Sequence, residues 1–142
     1  MLKKESEQLN EICRLSPSSK VVGELTSESA VRIDGEFEGT IYTKDKVVIG
    51  ENAHVKGVII CTNLDLWGFV DGLIITKELT SFKATADFKG EVNTSKICVA
   101  IGAKLNCTCK IINEDEFKSL APQAVKKEEL EEAKNETQIK NK

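Results

Sequence analysis

The segment FEGTI (37–41) places a glycine between two apolar residues, each two positions away, and this pattern recurs along most of the 142-residue chain. In chain order the copies are VVGEL (21–25), FEGTI (37–41), VKGVI (55–59), VDGLI (70–74), FKGEV (88–92) and LNCTC (105–109), where Cys107 replaces the glycine. The central positions are 16, 18, 15, 18 and 17 residues apart. A repeat of about 17 residues is typical of a solenoid, in which each repeat buries its apolar face only by stacking on its neighbours.

Within each copy the apolar residues alternate with other residues, which is the period of a β-strand with one buried face. The remaining glycines, at positions 35, 50, 68 and 102, form a second column at the end of another short apolar run. We therefore expect an all-β fold, a β-helix of about six rungs, with a β-sandwich of short strands as the alternative. Two inward ladders are predicted, namely Val21–Phe37–Val55–Val70–Phe88–Leu105 and Leu25–Ile41–Ile59–Ile74–Val92–Cys109. The uneven spacing leaves the handedness open.

Composition divides the chain into a folded centre and two tails. Residues 16–112 contain all nine glycines and most of the β-branched residues, so we expect them to form the β-helix domain. Residues 1–15 are predicted to be a disordered or weakly amphipathic tail. Residues 113–142 are rich in charge and poor in apolar residues, which predicts a disordered or transiently helical tail.

Charge and residue usage exclude several functional classes. The chain has 20 Lys and Arg against 23 Asp and Glu, a net charge of −3 that argues against a basic nucleic-acid binder. No apolar run approaches the length of a membrane span, and the N-terminus lacks the apolar core of a signal peptide. Five cysteines without an export signal indicate a reducing, cytoplasmic setting.

Two segments carry a resemblance to a known family. VRIDGEFEGTI (31–41) resembles the hallmark segment of the bactofilins, bacterial cytoskeletal proteins, and FKGEVNTSKICVAIGAKLNCTCKI (88–111) resembles their closing rungs. The resemblance covers about residues 20–112. Departures are Cys107 in place of glycine, the irregular stretch 79–87 and a weak entry rung at 16–25.

The resemblance implies a right-handed, three-faced parallel β-helix that polymerises end to end into non-polar filaments without nucleotide. Such filaments scaffold cell shape or proteins of the cell wall and envelope. An uncapped β-helix exposes an open strand edge and a section through its apolar core at each end, which agrees with stacking. We expect the polymer contacts to lie at the two ends, on Val21, Val22, Leu25, Leu105, Cys109, Ile111 and Ile112.

A second apolar surface is predicted on the outside of the middle rungs. If Ile59 and Ile74 point inward, their neighbours point outward, and Trp67 and Phe69 also fall on alternating positions. An exposed apolar strip of this kind marks a lateral or partner contact, and its predicted residues are Val58, Ile60, Trp67, Phe69, Leu73 and Ile75. The alternative is cover by a terminal segment, either the one with Leu9 and Ile12 or the one with Phe117 and Leu120.

This strip supports a rival function, a non-polymerising β-helical adaptor that binds an envelope or cell-wall enzyme. A more remote rival is a hexapeptide-type acyltransferase, suggested by IGENAH (49–54), which contains the chain's single histidine, His54. That reaction needs a pocket and an orienting partner for the base, and the hexapeptide occurs once. We therefore predict a protein that is not an enzyme.

No cofactor or metal is expected. Cys107 and Cys109 are separated by one residue, which is not the spacing of zinc sites or of thioredoxin-type motifs. The predicted partner is the chain itself, with cell-wall or envelope proteins as further candidates. The N-terminal segment has a faint amphipathic pattern that would bind the inner membrane weakly, and a solvated tail is the alternative.

Overall fold

The structure is a computed structural model that describes residues 12–120. It contains nine strands and, at residues 114–120, a short helix that we call α1. The strands are β1 (Ile12–Leu15), β2 (Lys20–Ser27), β3 (Ala30–Ile33), β4 (Glu36–Thr43), β5 (Lys46–Ile49), β6 (His54–Leu66), β7 (Phe69–Phe82), β8 (Asp87–Val99) and β9 (Lys104–Ile111).

All strand pairs are parallel, and they form a β-solenoid of about six turns. We number these turns from the N-terminus. The glycine column consists of β2, β4, the first parts of β6, β7 and β8, and β9. The second column consists of β1, β3, β5 and the later parts of β6, β7 and β8. Each turn contributes one segment to each column, so stacking buries the apolar side chains that a single turn would leave exposed.

The register confirms both predicted ladders. The structure pairs Val21 with Phe37 and Leu25 with Ile41, and the same alignment continues through every turn to Leu105 and Cys109. Phe37, Val55, Val70 and Phe88 are buried, as are the corresponding residues of the other ladder from Ile41 to Val92. The alternation of apolar residues therefore specified both the strands and their buried faces.

The glycines of the first column meet one another from turn to turn. Five of them, from Gly23 to Gly90, have φ between +129° and +144°, a conformation that residues with a side chain rarely adopt. A Cβ atom added to Gly57 would overlap the carbonyl oxygen of Gly39 in the preceding turn. Glycine is therefore required at this position for two reasons, the backbone conformation and the close approach of the neighbouring turn.

The solenoid begins earlier in the chain than the sequence predicts, because its second column starts with β1. β1 lies within residues 1–15, which the sequence predicts to be a tail, and the structure corrects that boundary for residues 12–15. ICRL lacks a glycine marker, but it pairs in register with AVRI of β3, and Cys13 and Leu15 pack against the core. Residues 1–11 and 121–142, with the expected tails, lie outside the described part of the chain.

The stretch 79–87 is more regular than its sequence indicates. Leu79–Phe82 pairs with Leu66 and its neighbours on one side and with Lys96–Val99 on the other. The irregularity is a shift in register between Thr76 and Leu79, where one turn has an extra residue relative to the next. Two threonines occupy the corner there, and the buried Thr80 hydroxyl donates a 2.9 Å hydrogen bond to the Thr76 hydroxyl. Each buried hydroxyl thus has a partner, as a polar group in a core requires.

Candidate assembly interface

The exposed apolar residues concentrate at the two ends of the solenoid. Within residues 12–120, seven of the eight exposed large apolar side chains lie in the first or the last turn. They are Ile12, Val21 and Val22 in the first turn and Ile97, Val99, Ile101 and Ile111 in the last turn. The remaining one is Trp67, in the middle. Such a distribution is unusual for a surface, on which single apolar residues are normally scattered.

Exposure at the ends follows from the ladders themselves. Val92 is 0% exposed because the last turn covers it, whereas its partner Cys109 is exposed because no seventh turn follows within residues 12–120. At the other end Val21 is 39% exposed, although Phe37, the next residue in the same ladder, is 1% exposed. The ends also carry unpaired strand edges, since among the described strands β1 and β9 each pair with one neighbour. Each end thus offers apolar groups and free backbone hydrogen-bonding groups to another strand.

The structure places six of the seven predicted end residues on a terminal turn with exposed or partly exposed side chains. These are Val21, Val22, Leu25, Leu105, Cys109 and Ile111. Val22 differs from Val21 and Leu25, because it aligns with Glu38 and Lys56 on the outward side of the glycine column, so its exposure does not depend on the missing turn. Ile112 requires a correction, because it is only 3% exposed and packs against Ile60 and Ile75 on the side of the solenoid. The chain leaves the last strand at Ile111, so Ile112 no longer follows the inward alternation of β9.

Sequence reasoning missed further residues at the ends, because it followed the glycine column alone. The second column forms two inward ladders of its own, Cys13–Val31–Val47–Leu64–Thr80–Ile97 and Leu15–Ile33–Ile49–Leu66–Phe82–Val99. Cys13 and Leu15 therefore belong to the N-terminal end, and Ile97 and Val99 belong to the C-terminal end. These ladders repeat every 16 to 18 residues, close to the 15 to 18 of the first column, so the same search would have revealed them.

Part of the predicted outer strip is covered by Ile112 and α1. Ile60 is 0% exposed and Ile75 is 2% exposed, and both form an apolar cluster with Ile112. Phe117 and Leu120 from α1, together with Tyr42, Val58 and Leu73, pack against this cluster. Ile60 and Ile75 are thus unavailable to a partner while α1 is in place, and the cover by Phe117 and Leu120 is the alternative that the sequence left open.

Polar contacts hold α1 on this surface. The Asn113 side-chain oxygen accepts a 2.8 Å hydrogen bond from the backbone N–H of Glu116, which caps the start of the helix. Glu114 lies 3.4 Å from Lys77, and Glu116 lies 4.0 Å from Lys110. Acidic residues in a first helical turn also interact favourably with the helix dipole. The N-terminal half of α1 therefore makes polar contacts with the solenoid, and its C-terminal half packs on it through apolar side chains.

The two aromatic residues predicted for the strip lie elsewhere on the surface. Trp67 is 41% exposed, and the Lys83 ammonium lies 5.6 Å from the centre of its ring. Phe69 is half-buried beside His54, with 5.6 Å between the ring centres. His54 itself is exposed in the glycine column, between Glu36 and Phe69 of the adjacent turns. Neither aromatic residue belongs to the cluster under α1.

The five cysteines are free thiols in different surroundings. Cys61 is buried, and burial raises its pKa to about 12 although a hydrogen bond with Thr76 lowers it slightly. The pKa of Cys107 is raised by partial burial and then by the charge of Cys109. Within residues 12–120 no group of three His, Cys, Asp or Glu residues could hold a metal ion. In the same part of the chain no helix is long and apolar enough to cross a membrane.

Comparison with known proteins identifies the family. The bactofilin family model, described as polymer-forming cytoskeletal, matches residues 13–110. A search of curated proteins gave no match. One solved structure with a similar fold is the cryo-EM reconstruction of Thermus thermophilus bactofilin double helical filaments. The two chains are 22% identical and superpose with a TM-score of 0.63, and the match covers 68% of this chain and 96% of that chain. Because the family model spans the whole solenoid, the chain belongs to the bactofilins, a family of polymer-forming cytoskeletal proteins.

Proposed function

We propose that this bactofilin assembles end to end, by stacking the first and last turns of its solenoid on those of neighbouring copies. The observation that carries the proposal is the concentration of exposed apolar side chains on these two turns. Stacking would bury them and pair the free edges of β1 and β9 at the same time. These groups associate through burial and strand pairing, so assembly requires no nucleotide.

The filament is proposed to be non-polar. If like ends meet, each interface has a two-fold axis, and two such interfaces alternate along the filament. Because the two ends differ in charge, the two interfaces of such a filament would differ in composition. The last turn contains Lys96, Lys104 and Lys110 and no acidic residue between positions 96 and 112, whereas the first turn balances Arg14 and Lys20 against Glu24 and Glu28.

The proposed biological role is a scaffold that positions cell-wall or envelope proteins in a bacterial cytoplasm, at the inner face of the membrane or away from it. The support for this role is the family, whose members form polymers. An adaptor that binds through the outer strip has less support, because α1 occupies the centre of that strip. Trp67 and Phe69 remain accessible sites for a lateral contact.

The first test compares two arginine substitutions in neighbouring positions of β9. Leu105 points into the end of the core, and Asn106 is exposed on the outside of the same strand. Leu105→Arg places a charge in the proposed contact, where burial without a partner is costly, so the concentration needed for filaments should rise at least about tenfold. Asn106→Arg adds the same charge and should leave assembly nearly unchanged.

Sedimentation and negative-stain electron microscopy without nucleotide would measure assembly, and circular dichroism would check that both variants keep their β-structure. Filaments of Leu105→Arg at wild-type concentrations, or an unmodified chain that never polymerises, would overturn end-to-end stacking. Polarity is tested by adding Val21→Arg. With like ends paired, each single variant stops at a dimer and the double variant is a monomer. With unlike ends paired, each single variant is already a monomer.

A further inference from the structure

The side of the solenoid that α1 crosses has an apolar centre and polar ends. Two rows of outward side chains run along it, with one residue of each row in every turn. The rows are Thr26–Tyr42–Ile60–Ile75–Asn93–Lys110 and Glu24–Thr40–Val58–Leu73–Glu91–Thr108. The third and fourth turns supply only aliphatic side chains to these rows, and the other turns supply polar residues and Tyr42. We call the four aliphatic residues, Val58, Ile60, Leu73 and Ile75, the side patch.

α1 covers the side patch incompletely and is held on it by few contacts. Its apolar contacts come from Phe117 and Leu120, and both side chains are only half-buried. Val58 and Leu73 are also half-buried, so part of the side patch stays open to solvent beside α1. The two ion pairs that join α1 to the solenoid lie at the surface, where solvent screens them and they contribute little to stability.

The connection between the solenoid and α1 can act as a hinge. Ile112 is fixed to the solenoid, since its side chain is 3% exposed and its backbone N–H donates a 2.9 Å hydrogen bond to the Thr94 carbonyl oxygen. The helix begins two residues later, at position 114. A helix of seven residues is too short to be stable in water by itself, so the stability of α1 comes from docking. A rotation at Asn113 is therefore enough to release α1 and to expose the side patch.

The exposed side patch is complementary to a second copy of itself. A two-fold axis along the strands, between the third and fourth turns, sets two solenoids antiparallel and brings the third turn of each opposite the fourth turn of the other. Ile60 then meets the second copy's Ile75, and apolar side chains meet apolar side chains. The same axis brings the first turn opposite the last, so the exposed Glu24 faces the turn that carries Lys110. An isologous contact needs this match of a surface with itself in shape and charge.

We propose that α1 is a lid over a lateral contact for a second copy of this chain, and that two solenoids pair through the side patch when α1 swings away. The closed lid is an autoinhibitory contact, since Ile60 and Ile75 are outward residues that Ile112 and α1 keep buried. The contact lies on the side of the solenoid, so it goes beyond end-to-end assembly and does not depend on it. In a filament every copy carries one side patch, and contacts between two filaments add up.

The test compares two substitutions on the docked side of α1 with two on its exposed side. Phe117→Ser together with Leu120→Ser removes the apolar contacts of the helix and gives the open variant. Asp115→Ser together with Lys118→Ser is the matched control, because both side chains are exposed and the net charge of the chain stays the same. Both pairs introduce two serines into the same helix, so a general loss of helix propensity affects the two variants alike.

Both variants are made in the full chain with Val21→Arg and Leu105→Arg, which are expected to block the two ends and leave lateral pairing to be measured. Hydrogen exchange of the α1 amides measures the opening of the lid, and analytical ultracentrifugation measures dimerisation. Circular dichroism checks that every variant keeps its β-structure. A third variant adds Leu73→Lys to the open variant. Leu73 is a half-buried outward residue, so the lysine is tolerated by the monomer and places a charge in the proposed contact.

We expect the α1 amides of the open variant to exchange faster than those of the control, and its dimerisation constant to be at least about tenfold higher. Leu73→Lys should return that constant to within about twofold of the control value. Without Val21→Arg and Leu105→Arg, the open variant should form paired or bundled filaments in negative-stain electron microscopy, and the control should form single ones.

Equal exchange in the open and control variants would overturn the lid. Faster exchange without stronger dimerisation would overturn the lateral contact, and dimers that persist with Leu73→Lys would show that the side patch does not form it. None of these outcomes affects end-to-end stacking, which is judged by filament formation of the chain without substitutions.

Discussion

The middle and terminal turns of this solenoid have the same repeat and face different environments. Ile59, in the third turn, is 0% exposed between Ile41 and Ile74. Leu25 and Cys109, at the ends of the same ladder, are partly or fully exposed to solvent. The residue types differ little, so burial is decided by position in the stack. In a solenoid each turn stabilises its neighbours, and a terminal turn lacks one of the two.

The side of the solenoid and its ends differ in a second respect. The apolar strip on the side is covered by α1, which follows the last strand after a two-residue connection. None of the described residues covers the ends in a comparable way, and the large apolar side chains of both terminal turns stay exposed. Within the described residues, the apolar cluster on the side of the solenoid is thus shielded, and the terminal turns that could extend the fold remain open.

Glycine substitutions should show the largest difference between a middle and a terminal turn in the free energy of unfolding that is lost. A Cβ at Gly57 would overlap the backbone of Gly39, whereas a Cβ at Gly23 would meet no atom within 4 Å. Both residues have similar φ, so Gly23→Ala should cost only the backbone strain of about 1–2 kcal/mol, and Gly57→Ala at least about 4 kcal/mol. Urea unfolding in the Leu105→Arg background, in which assembly is expected to be weakened, would measure both losses. Equal losses would show that contact between turns does not set the requirement for glycine.

A smaller difference in the free energy of unfolding is expected for alanine substitutions of Ile59 and Leu25, which belong to the same ladder. Ile59→Ala removes a fully buried side chain and should lower the free energy of unfolding by about 3 kcal/mol. Leu25→Ala removes a partly exposed one and should cost about 1 kcal/mol in the same background. In the otherwise unmodified chain, however, Leu25→Ala should weaken assembly. If it left the concentration needed for filaments unchanged, Leu25 would not belong to the N-terminal contact.

The smallest effect is expected for the cap of α1. Asn113→Ala removes the side-chain acceptor that caps the helix and should destabilise its docking by about 1 kcal/mol. Because cleavage of a locally opened segment follows the population of the open form, tryptic cleavage after Lys118 should become about fivefold faster. Asn106→Ala, an exposed change in the last turn, is the control. Equal cleavage rates for the two variants would show that Asn113 does not hold the helix in place.

Much of the fold could be predicted because the glycine column marks its own register. Each glycine lies between two inward residues, so locating Gly39, Gly57 and the others located both ladders. The second column is marked less completely, because glycines follow only four of its six segments, at positions 35, 50, 68 and 102, and none follows β1. Its segments in β1, β3 and β5 are also only four residues long. The sequence of Ile12–Leu15 therefore resembles a tail, and its pairing with Ala30–Ile33 identifies it as a strand. The end residues Leu15, Ile97 and Val99 were missed because inward ladders were predicted only along the first glycine column.

The candidate site was predicted in part. Alternation along β9 correctly placed Leu105 and Cys109 on the inward side, but it could not indicate that the chain turns away after Ile111. Ile112 consequently contacts Ile60 and Ile75 on the side, and the strip expected to be free is covered. Alternation describes a strand only as long as the strand continues, and the path that follows depends on contacts between residues far apart in sequence.

The sequence by itself determined the solenoid, the register of its glycine column and the identity of the apolar ladders, because a two-residue alternation repeated every 15 to 18 residues can be buried only by stacking. Tertiary structure decided which members of those ladders remain exposed, since exposure depends on whether another turn follows. It also decided that α1 lies across Ile60 and Ile75, because that contact joins residues more than 35 positions apart, for which no local pattern provides a signal.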